Sequence, residues 1–110
     1  MKNSFLKFSD KKMIYKVPTA EIIHVESDGM STVTYTSSGE EHKCCKNLGA
    51  IYKELDKAKT FFRVHTSFIV NLTKIKAYKK EKGGIIVMTN GFHIPVSKRR
   101  KSEFLKKYLQ

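Results

Sequence analysis

Short runs of apolar residues, separated by turn-forming residues, dominate the first half of the chain and predict β-strands. The clearest run is the segment 32–36 (Thr-Val-Thr-Tyr-Thr), which alternates with a period of two and consists of strand-favouring residues. Asp28-Gly29 and Ser37-Ser38-Gly39 supply turn chemistry on either side of it, since glycine accepts a positive φ. The strands predicted here are 5–8, 13–17, 22–26, 32–36 and 41–45.

A helical period replaces this pattern in the middle of the chain. Four apolar residues fall at positions i, i+3, i+4 and i+7, so they share one face of a helix. These residues are Leu48, Ile51, Tyr52 and Leu55. Asn47 precedes them and belongs to the residue types that cap helix N-termini well. The pattern therefore predicts a short helix that begins after Asn47.

The stretch from Phe61 to Asn71 combines buried and polar features within a few residues. Two apolar pieces, Phe62–Val64 and Phe68–Val70, flank the polar tripeptide His65-Thr66-Ser67. We expect Phe62, Val64, Phe68 and Val70 to be buried and Thr66 to be exposed. Because the tripeptide lies between two buried strands, it must face water or a charged partner.

Two hairpins are predicted in the second half of the chain. Ile75–Tyr78 and Ile85–Met88 pair across Lys82-Gly83-Gly84, and Asn90-Gly91 forms a two-residue turn that leads into residues 92–96. Pro95 cannot donate a backbone hydrogen bond, so its strand is expected to lie at a sheet edge or to end there.

A final helix is predicted after Ser97, whose hydroxyl can cap it. Its spacing of apolar residues gives one packed stripe, with Lys106 and Lys107 facing solvent. The stripe consists of Phe104, Leu105, Tyr108 and Leu109.

Length and charge limit the possible functions. The 110 residues suffice for one domain with one core, and we expect residues 1–110 to form a single domain. The formal net charge is +12, and residues 74–110 carry eleven Lys or Arg against two acidic residues. This balance favours a polyanionic partner and makes the final third the expected electrostatic footprint. The plainer alternative is a lysine-rich surface that serves solubility.

The sequence also predicts the compartment. No apolar run is long enough for a transmembrane helix, and the N-terminus lacks an apolar signal core, so we expect a cytoplasmic protein without a membrane partner. Cys44 and Cys45 are adjacent, and neighbouring strand residues point to opposite faces. One of them should therefore face the core and the other solvent, and no disulfide is expected in a reducing compartment.

Four motifs in order along the chain together resemble the LytTR-type DNA-binding domain of bacterial transcription regulators. Any one of them alone would be unspecific, but four ordered matches at plausible spacing are specific. They are Ile22–Gly29 with its Glu26-Ser27 pair, the helix from Asn47 to Leu55, the segment Phe62–Asn71, and Asn90–Arg100 with its Pro95-Val96-Ser97 triplet. The position after His65 is usually basic or a long polar residue in this family, whereas here it is Thr66.

The resemblance implies a fold and a function. The fold is mostly β, with the strands in an elongated stack of small antiparallel sheets, one middle helix and one C-terminal helix. The implied function is sequence-specific binding of double-stranded DNA at promoter direct repeats, by two copies of the domain. In two-component systems a phospho-accepting receiver domain often precedes this module. No receiver domain fits into 110 residues, so the chain is either an excised output domain or a stand-alone regulator.

The first candidate DNA-binding residues lie in two turns. The resemblance places the loop after Asp28-Gly29 in the major groove, where Met30 could contact a thymine methyl and Ser31 could donate or accept a hydrogen bond. A plain hairpin tip is the alternative. The resemblance also implies that Thr66 faces DNA. For His65 a structural hydrogen bond and a DNA contact are both open, and for Ser67 we favour local backbone bonding.

The remaining candidates are Lys98, Arg99 and Arg100. Basic residues near a helix start oppose the helix dipole, and a phosphate or a base edge would compensate for this. Arginine can bind guanine through two hydrogen bonds, and the resemblance gives the position of Lys98 a DNA contact. An ordinary basic surface turn is the alternative.

Arg63 is expected to play a structural part. On a strand it points away from the face that Phe62 and Val64 share. We expect an ion pair with Glu26 or Glu54, with a DNA phosphate as the alternative.

Metal binding and catalysis are not indicated. His42 and Cys44 share a strand face, but the paired spacings typical of structural zinc do not occur. There is no nucleophile elbow, phosphate loop or paired acid motif. We therefore expect no metal, no cofactor, no small-molecule substrate and no enzymatic activity. The alternative to a DNA-binding domain is a basic module that binds polyanions, an anionic membrane or a protein without sequence preference.

Overall fold

Strands dominate the part of the chain that the computed structural model describes, which comprises residues 4–9, 11–55 and 58–110. They are β1 (Phe5–Ser9), β2 (Ile14–Pro18), β3 (Ile22–Asp28), β4 (Ser31–Thr36), β5 (Glu41–Cys44), β6 (Phe61–His65), β7 (Phe68–Asn71), β8 (Ile75–Lys79), β9 (Ile85–Met88) and β10 (His93–Pro95). The helices are α1 (Leu48–Leu55) and α2 (Lys101–Tyr108). The predicted mostly-β fold with one middle and one C-terminal helix is confirmed.

The strands form antiparallel sheets of two, five and three strands. Their orders are β1-β2, β5-β4-β3-β7-β6 and β10-β9-β8. The molecule measures 45 × 35 × 23 Å along its principal axes, in keeping with the elongated stack that the resemblance implied. In the central sheet, β3 pairs with both β4 and β7, and Gly29 turns the β3–β4 hairpin with a φ of +65°. The chain between the predicted strands 5–8 and 13–17 includes Asp10, which lies outside the described residues.

The central sheet is buried on both faces and separates two apolar clusters. The consecutive residues Ile69 and Val70 of β7 belong to different clusters, because neighbouring side chains on a strand point to opposite faces. The ribbon β1–β2 and α1 cover the first cluster, while β9, β10 and α2 cover the second. The expected single core is thus wrong. Length alone does not predict whether elements cover one face of a sheet or both.

Burial around the β6–β7 turn follows the predicted pattern with one exception. Phe62, Val64 and Val70 are buried, and Thr66 is exposed, as predicted. Phe68 is only half-buried. Its ring lies next to the turn and contacts the ring of His65, with 5.6 Å between the centroids.

Helix α1 forms as predicted. The side-chain oxygen of Asn47 accepts a hydrogen bond from the backbone N–H of Ala50 at 2.9 Å, which confirms the N-cap. Leu48, Ile51 and Leu55 are buried in the first cluster, and Tyr52 packs at its margin.

The start and end of α2 differ from prediction. The Ser97 hydroxyl caps nothing; its Oγ is buried without a hydrogen-bond partner among the described residues, and the backbone carbonyl of Ser97 accepts from the Arg100 N–H instead. A 3₁₀ turn over Lys98–Arg100 therefore precedes the α-helix. Phe104 is fully buried, but Leu109 is 75% exposed because α2 ends at Tyr108. Lys107 is exposed as predicted, although its Nζ also lies 5.6 Å from the centre of the Phe62 ring.

The turn at Asn90-Gly91 joins β9 to β10 with three residues, not two. Because His93 pairs with Val87, residues 89–91 form the loop, and Gly91 adopts a φ of +89°. The Asn90 side-chain oxygen accepts a hydrogen bond from the Phe92 N–H at 3.1 Å. The predicted two-residue turn did not include this local bond. Pro95 lies in the outer strand of its sheet, as predicted.

The two cysteines point in opposite directions, as expected. Cys44 is half-buried and packs against the first cluster, whereas Cys45 is exposed. Neither forms a disulfide.

Candidate nucleic-acid interface

The turn between β6 and β7 is held by local hydrogen bonds that leave one side chain exposed. The register of the two strands shifts between Arg63 and His65, and His65 Nδ1 accepts a hydrogen bond from the Ser67 N–H at 3.1 Å. Since Nδ1 accepts, the proton of the neutral ring lies on Nε2, which is thereby a donor. The structural hydrogen bond, one of the two alternatives left open for His65, is present, and Thr66 stands exposed at the tip of the turn.

The loop at residues 28–31 is anchored beside this turn. The Ser27 N–H donates to the Ser67 carbonyl at 2.9 Å, so the last residues of β3 lie next to the start of β7. Met30 at the tip of the loop is 86% exposed, and Ser31 is half-buried.

The basic residues 98–100 are anchored to the same strand from the other side. The Ser97 N–H donates to the Val64 carbonyl at 2.9 Å, and Arg100 Nη1 donates to the Arg63 carbonyl at 3.2 Å. Lys98 and Arg99 are exposed, whereas Arg100 is half-buried and has this intramolecular partner. The three basic residues predicted together therefore differ in their availability to a ligand.

These bonds bring all three predicted segments to one place. We call the loop 28–31, the turn 65–67 and the segment 98–100 the three-segment face. The turn is the centre of this face, because Ser27, just before the loop, is bonded to Ser67, while Ser97 and Arg100 are bonded to the carbonyls of Val64 and Arg63, just before the turn. All seven candidate residues fall within it: Met30, Ser31, His65, Thr66, Lys98, Arg99 and Arg100.

Arg63 does not form the predicted ion pair. Glu54 pairs with Lys46 at 2.8 Å, and no ion pair among the described residues includes Arg63. Its Nη2 donates instead to the Thr66 carbonyl at 2.7 Å, which closes the turn. Its Nε is buried without a hydrogen-bond partner in the described structure. Sequence reasoning missed this role, because strand alternation indicates which face a side chain occupies but not which carbonyl it reaches.

A buried histidine on β3 was also missed. His24 on β3 is fully buried and stacks on Tyr35 of β4, with 4.4 Å between ring centroids and 9° between ring planes. Phe92, from the β9–β10 hairpin, packs on both rings at 4.7 Å. Burial lowers the pKa of His24 to about 4. Burial, assisted by Glu26, raises the pKa of Tyr35 to about 12. The trio joins the central sheet to the three-stranded sheet.

The charges of the C-terminal third are not neutralised within the described residues. The Lys–carboxylate pairs in the described ranges are Lys43–Asp28 at 3.2 Å and Lys46–Glu54 at 2.8 Å, both in the N-terminal part. The hydrogen bond to Glu54 raises the pKa of Lys46. None of the Lys or Arg side chains of 74–110 has a carboxylate within ion-pair distance in the described structure. The positive electrostatic field of these side chains is therefore available to an anionic partner.

Two other kinds of site are not found among the described residues. No described helix has the length and apolarity needed to cross a membrane. No group of three or more His, Cys, Asp or Glu residues among those described is placed to hold a metal ion.

Comparison with known proteins gives consistent results. The family model for the LytTr DNA-binding domain matches residues 12–109. A curated relative, the CO-responsive transcriptional regulator RcoM of Rhodospirillum rubrum, is 38% identical over 76 residues, which are 68% of this chain. The match covers 31% of that regulator, so the chain spans about a third of its length.

A solved structure is similar over nearly the whole chain. It is described as the LytTr DNA-binding domain of a methyl-accepting/DNA response regulator from Bacillus cereus. The match has a TM-score of 0.79 and 25% sequence identity, and it covers 94% of this chain and 95% of that one.

Proposed function

Because this chain belongs to the LytTr DNA-binding domain family, we propose that it reads promoter DNA through the three-segment face as the output domain of a bacterial transcription regulator. The observation that carries this proposal is the set of hydrogen bonds at the bases of the three segments, which join Ser27 to Ser67, Ser97 to Val64 and Arg100 to Arg63. Several short, rigid turns presented side by side are suited to reading a few base edges each.

The exposed side chains of the face divide into two roles. Met30 has an apolar side chain and Thr66 a short one, so both suit contacts with base edges, such as the methyl group of thymine. Lys98 and Arg99 are exposed cations that suit phosphates or the acceptor edge of guanine. His65 can donate through Nε2 while its Nδ1 holds the turn.

Two arginines, one in β6 and one in the face, have a positioning role in this proposal. Arg63 closes the turn on the carbonyl of Thr66, and Arg100 holds the carbonyl of Arg63. They therefore set the geometry in which Thr66 and Lys98 are presented. Three lysines along and before β8 add phosphate contacts without sequence preference: Lys76 and Lys79 are exposed, and Lys74 is half-buried.

The context of this activity is proposed along with it. Two copies bind direct repeats, since one face of this size reads only a few base pairs. A response regulator of a two-component system is the setting that the Bacillus cereus domain suggests. DNA as the partner implies a cytoplasmic location. The family is defined by DNA binding and not by catalysis, so we propose no enzymatic activity.

Selection of bound sites from a random duplex pool tests the proposal. We expect enrichment of one sequence, and selected DNA should displace the protein from bulk genomic DNA at fixed salt. Lys98→Ala should weaken binding to the selected site about tenfold while changing bulk binding much less. Lys106→Ala is the matched control, because Lys106 is an equally exposed lysine away from the face, and it should have little effect. Equal binding to selected and random DNA would favour the non-specific polyanion-binding module instead.

A further inference from the structure

A groove between the end of β8 and one side of α2 has no part in the proposed function. It has a volume of about 500 Å³, within the range of small-molecule sites. Its lining consists of Tyr78, Lys80, Lys101, Leu105, Tyr108 and Leu109. We propose that this groove binds a small organic anion that carries an aromatic or branched apolar group next to a carboxylate. This inference does not depend on DNA binding.

The wall of the groove is apolar and held in place. Leu105 and Tyr108 pack against the second cluster, and Tyr108 stacks on the buried Phe104 with 5.5 Å between ring centroids. The Tyr78 hydroxyl is buried over Gly84, so it offers the groove no accessible polar atom. Leu109 is 75% exposed at the rim. An apolar group placed here would cover surface that water now contacts.

The charge at the groove selects an anion. Lys80 and Lys101 supply the charged groups of the lining, and none of the six lining residues is acidic. Glu81 and Glu103, the acidic residues of 74–110, are not part of the lining. Neither lysine has a carboxylate within ion-pair distance among the described residues. Two unneutralised ammonium groups beside an apolar wall match a carboxylate attached to an apolar body.

The length of the groove favours a small molecule over a chain. The lining runs along α2 from Lys101 to Leu109, about 12 Å at the rise of a helix. An extended peptide would place only about three or four residues along that length. A DNA phosphate would meet the lysines but has no apolar group to cover Leu105 and Leu109. In a ligand with one ring and one carboxylate, the ring would cover the apolar wall and the carboxylate would pair with the two lysines.

The test uses amide-resolved NMR of the full chain with phenylbutyrate as the probe. Phenylbutyrate should shift the amides of residues 78–80 and 101–109 and saturate with a Kd of about 1 mM, as expected for a ligand of this size. Phenylbutanol lacks the charge and acetate lacks the ring. Each should bind about tenfold more weakly.

Matched variants separate this groove from general anion binding. The double change Lys80→Gln and Lys101→Gln should weaken phenylbutyrate about fivefold, whereas Lys106→Gln on the same helix should not. Leu109→Ser should also weaken it, and its exposure makes unfolding no explanation. Equal binding of acetate or phenylbutanol, or shifts centred on residues 65–67 and 98–100, would overturn the proposal. Displacement of phenylbutyrate by duplex DNA would assign the groove to nucleic acid and overturn it as well.

Discussion

Acid should destabilise this domain through His24, by an amount that the structure allows us to calculate. The imidazole is fully buried between Tyr35 and Phe92, and burial lowers its pKa from 6.5 to about 4. The unfolded chain therefore takes up a proton between pH 6.5 and pH 4 that the folded chain does not. Since the unfolded state binds more protons in this window, stability falls as the pH falls.

The size of the effect follows from the difference in pKa. Each unit corresponds to about 1.4 kcal/mol, so the loss is about 2 kcal/mol at pH 5 and about 3 kcal/mol once the pH reaches 4. Above about pH 7.5 the imidazole is neutral in both states, so the group contributes no pH dependence there. For a domain with a total stability of about 5–15 kcal/mol, the loss at pH 5 is easily measured.

The assay is urea denaturation followed by circular dichroism at several pH values, since the chain contains no tryptophan. His24→Phe removes the titrating group from an aromatic stack in which neither ring nitrogen has a hydrogen-bond partner among the described residues. The wild type should lose about 2 kcal/mol more than this variant between pH 7 and pH 5. His93→Gln, at an exposed position, should follow the wild type.

Parallel pH profiles for the wild type and His24→Phe would refute the reasoning. They would mean that His24 keeps an ordinary pKa in the folded state. The nearest group that could cause this is Glu26, whose Oε1 lies 3.6 Å from His24 Nε2 and would stabilise the protonated ring.

Three further substitutions test the fold and the three-segment face. Phe62→Ala should cost about 3–5 kcal/mol of stability, because Phe62 is only 5% exposed in the second cluster; a midpoint shift in urea measures this, and a loss below 1 kcal/mol would contradict the packing. Thr66→Ala should leave the thermal midpoint nearly unchanged and weaken binding to a selected DNA site, so a large loss of stability with intact DNA binding would overturn its assignment. Gly84→Ala should destabilise by about 2 kcal/mol more than Gly39→Ala; both positions have a positive φ, but only at Gly84 would the added methyl collide with the Tyr78 hydroxyl. Equal effects of the two glycine substitutions in thermal melts would contradict this collision.

The sequence predicted the elements well where a local pattern decides them. The period of two in residues 32–36 and the spacing of Leu48, Ile51 and Leu55 each became the predicted element. The cap at Asn47 is likewise local, because its partner is three residues away. Such features depend on backbone geometry within one turn, and residue types alone indicate them.

The predictions failed where a contact with a residue distant in the sequence determines the local structure. Ser97 has the right type for a cap, but its N–H is bonded to the Val64 carbonyl on another strand, and its Oγ remains without a partner among the described residues. Leu109 continues the helical spacing but lies beyond the point where α2 ends. The spacing of apolar residues indicates which residues could share one face of a helix, but it does not indicate where the helix ends.

The candidate site likewise has features that the local sequence indicates and features that only distant contacts determine. The interrupted apolar run around Thr66 and the charge concentrated after Ser97 drew attention to these segments, and the family resemblance proposed Thr66 and Lys98 as DNA contacts. That these segments are bonded to one another could not be predicted from the sequence, since the bonds join residues more than 30 positions apart, such as Arg100 and Arg63. His24 gave no signal at all, because a histidine on a strand does not indicate which rings will stack on it from another sheet.

The anchoring of the three-segment face has a consequence for how such domains diverge. The bonds that fix Ser27 to Ser67 and Ser97 to Val64 join backbone atoms, so they persist whatever side chains those positions carry. The exposed side chains at Met30, Thr66 and Lys98 make none of these anchoring bonds. If these side chains read DNA as proposed, substitutions at the three positions would change the preferred DNA sequence while the scaffold stays intact. Related domains would then diverge in their targets through a few substitutions, each of them tolerated by the fold.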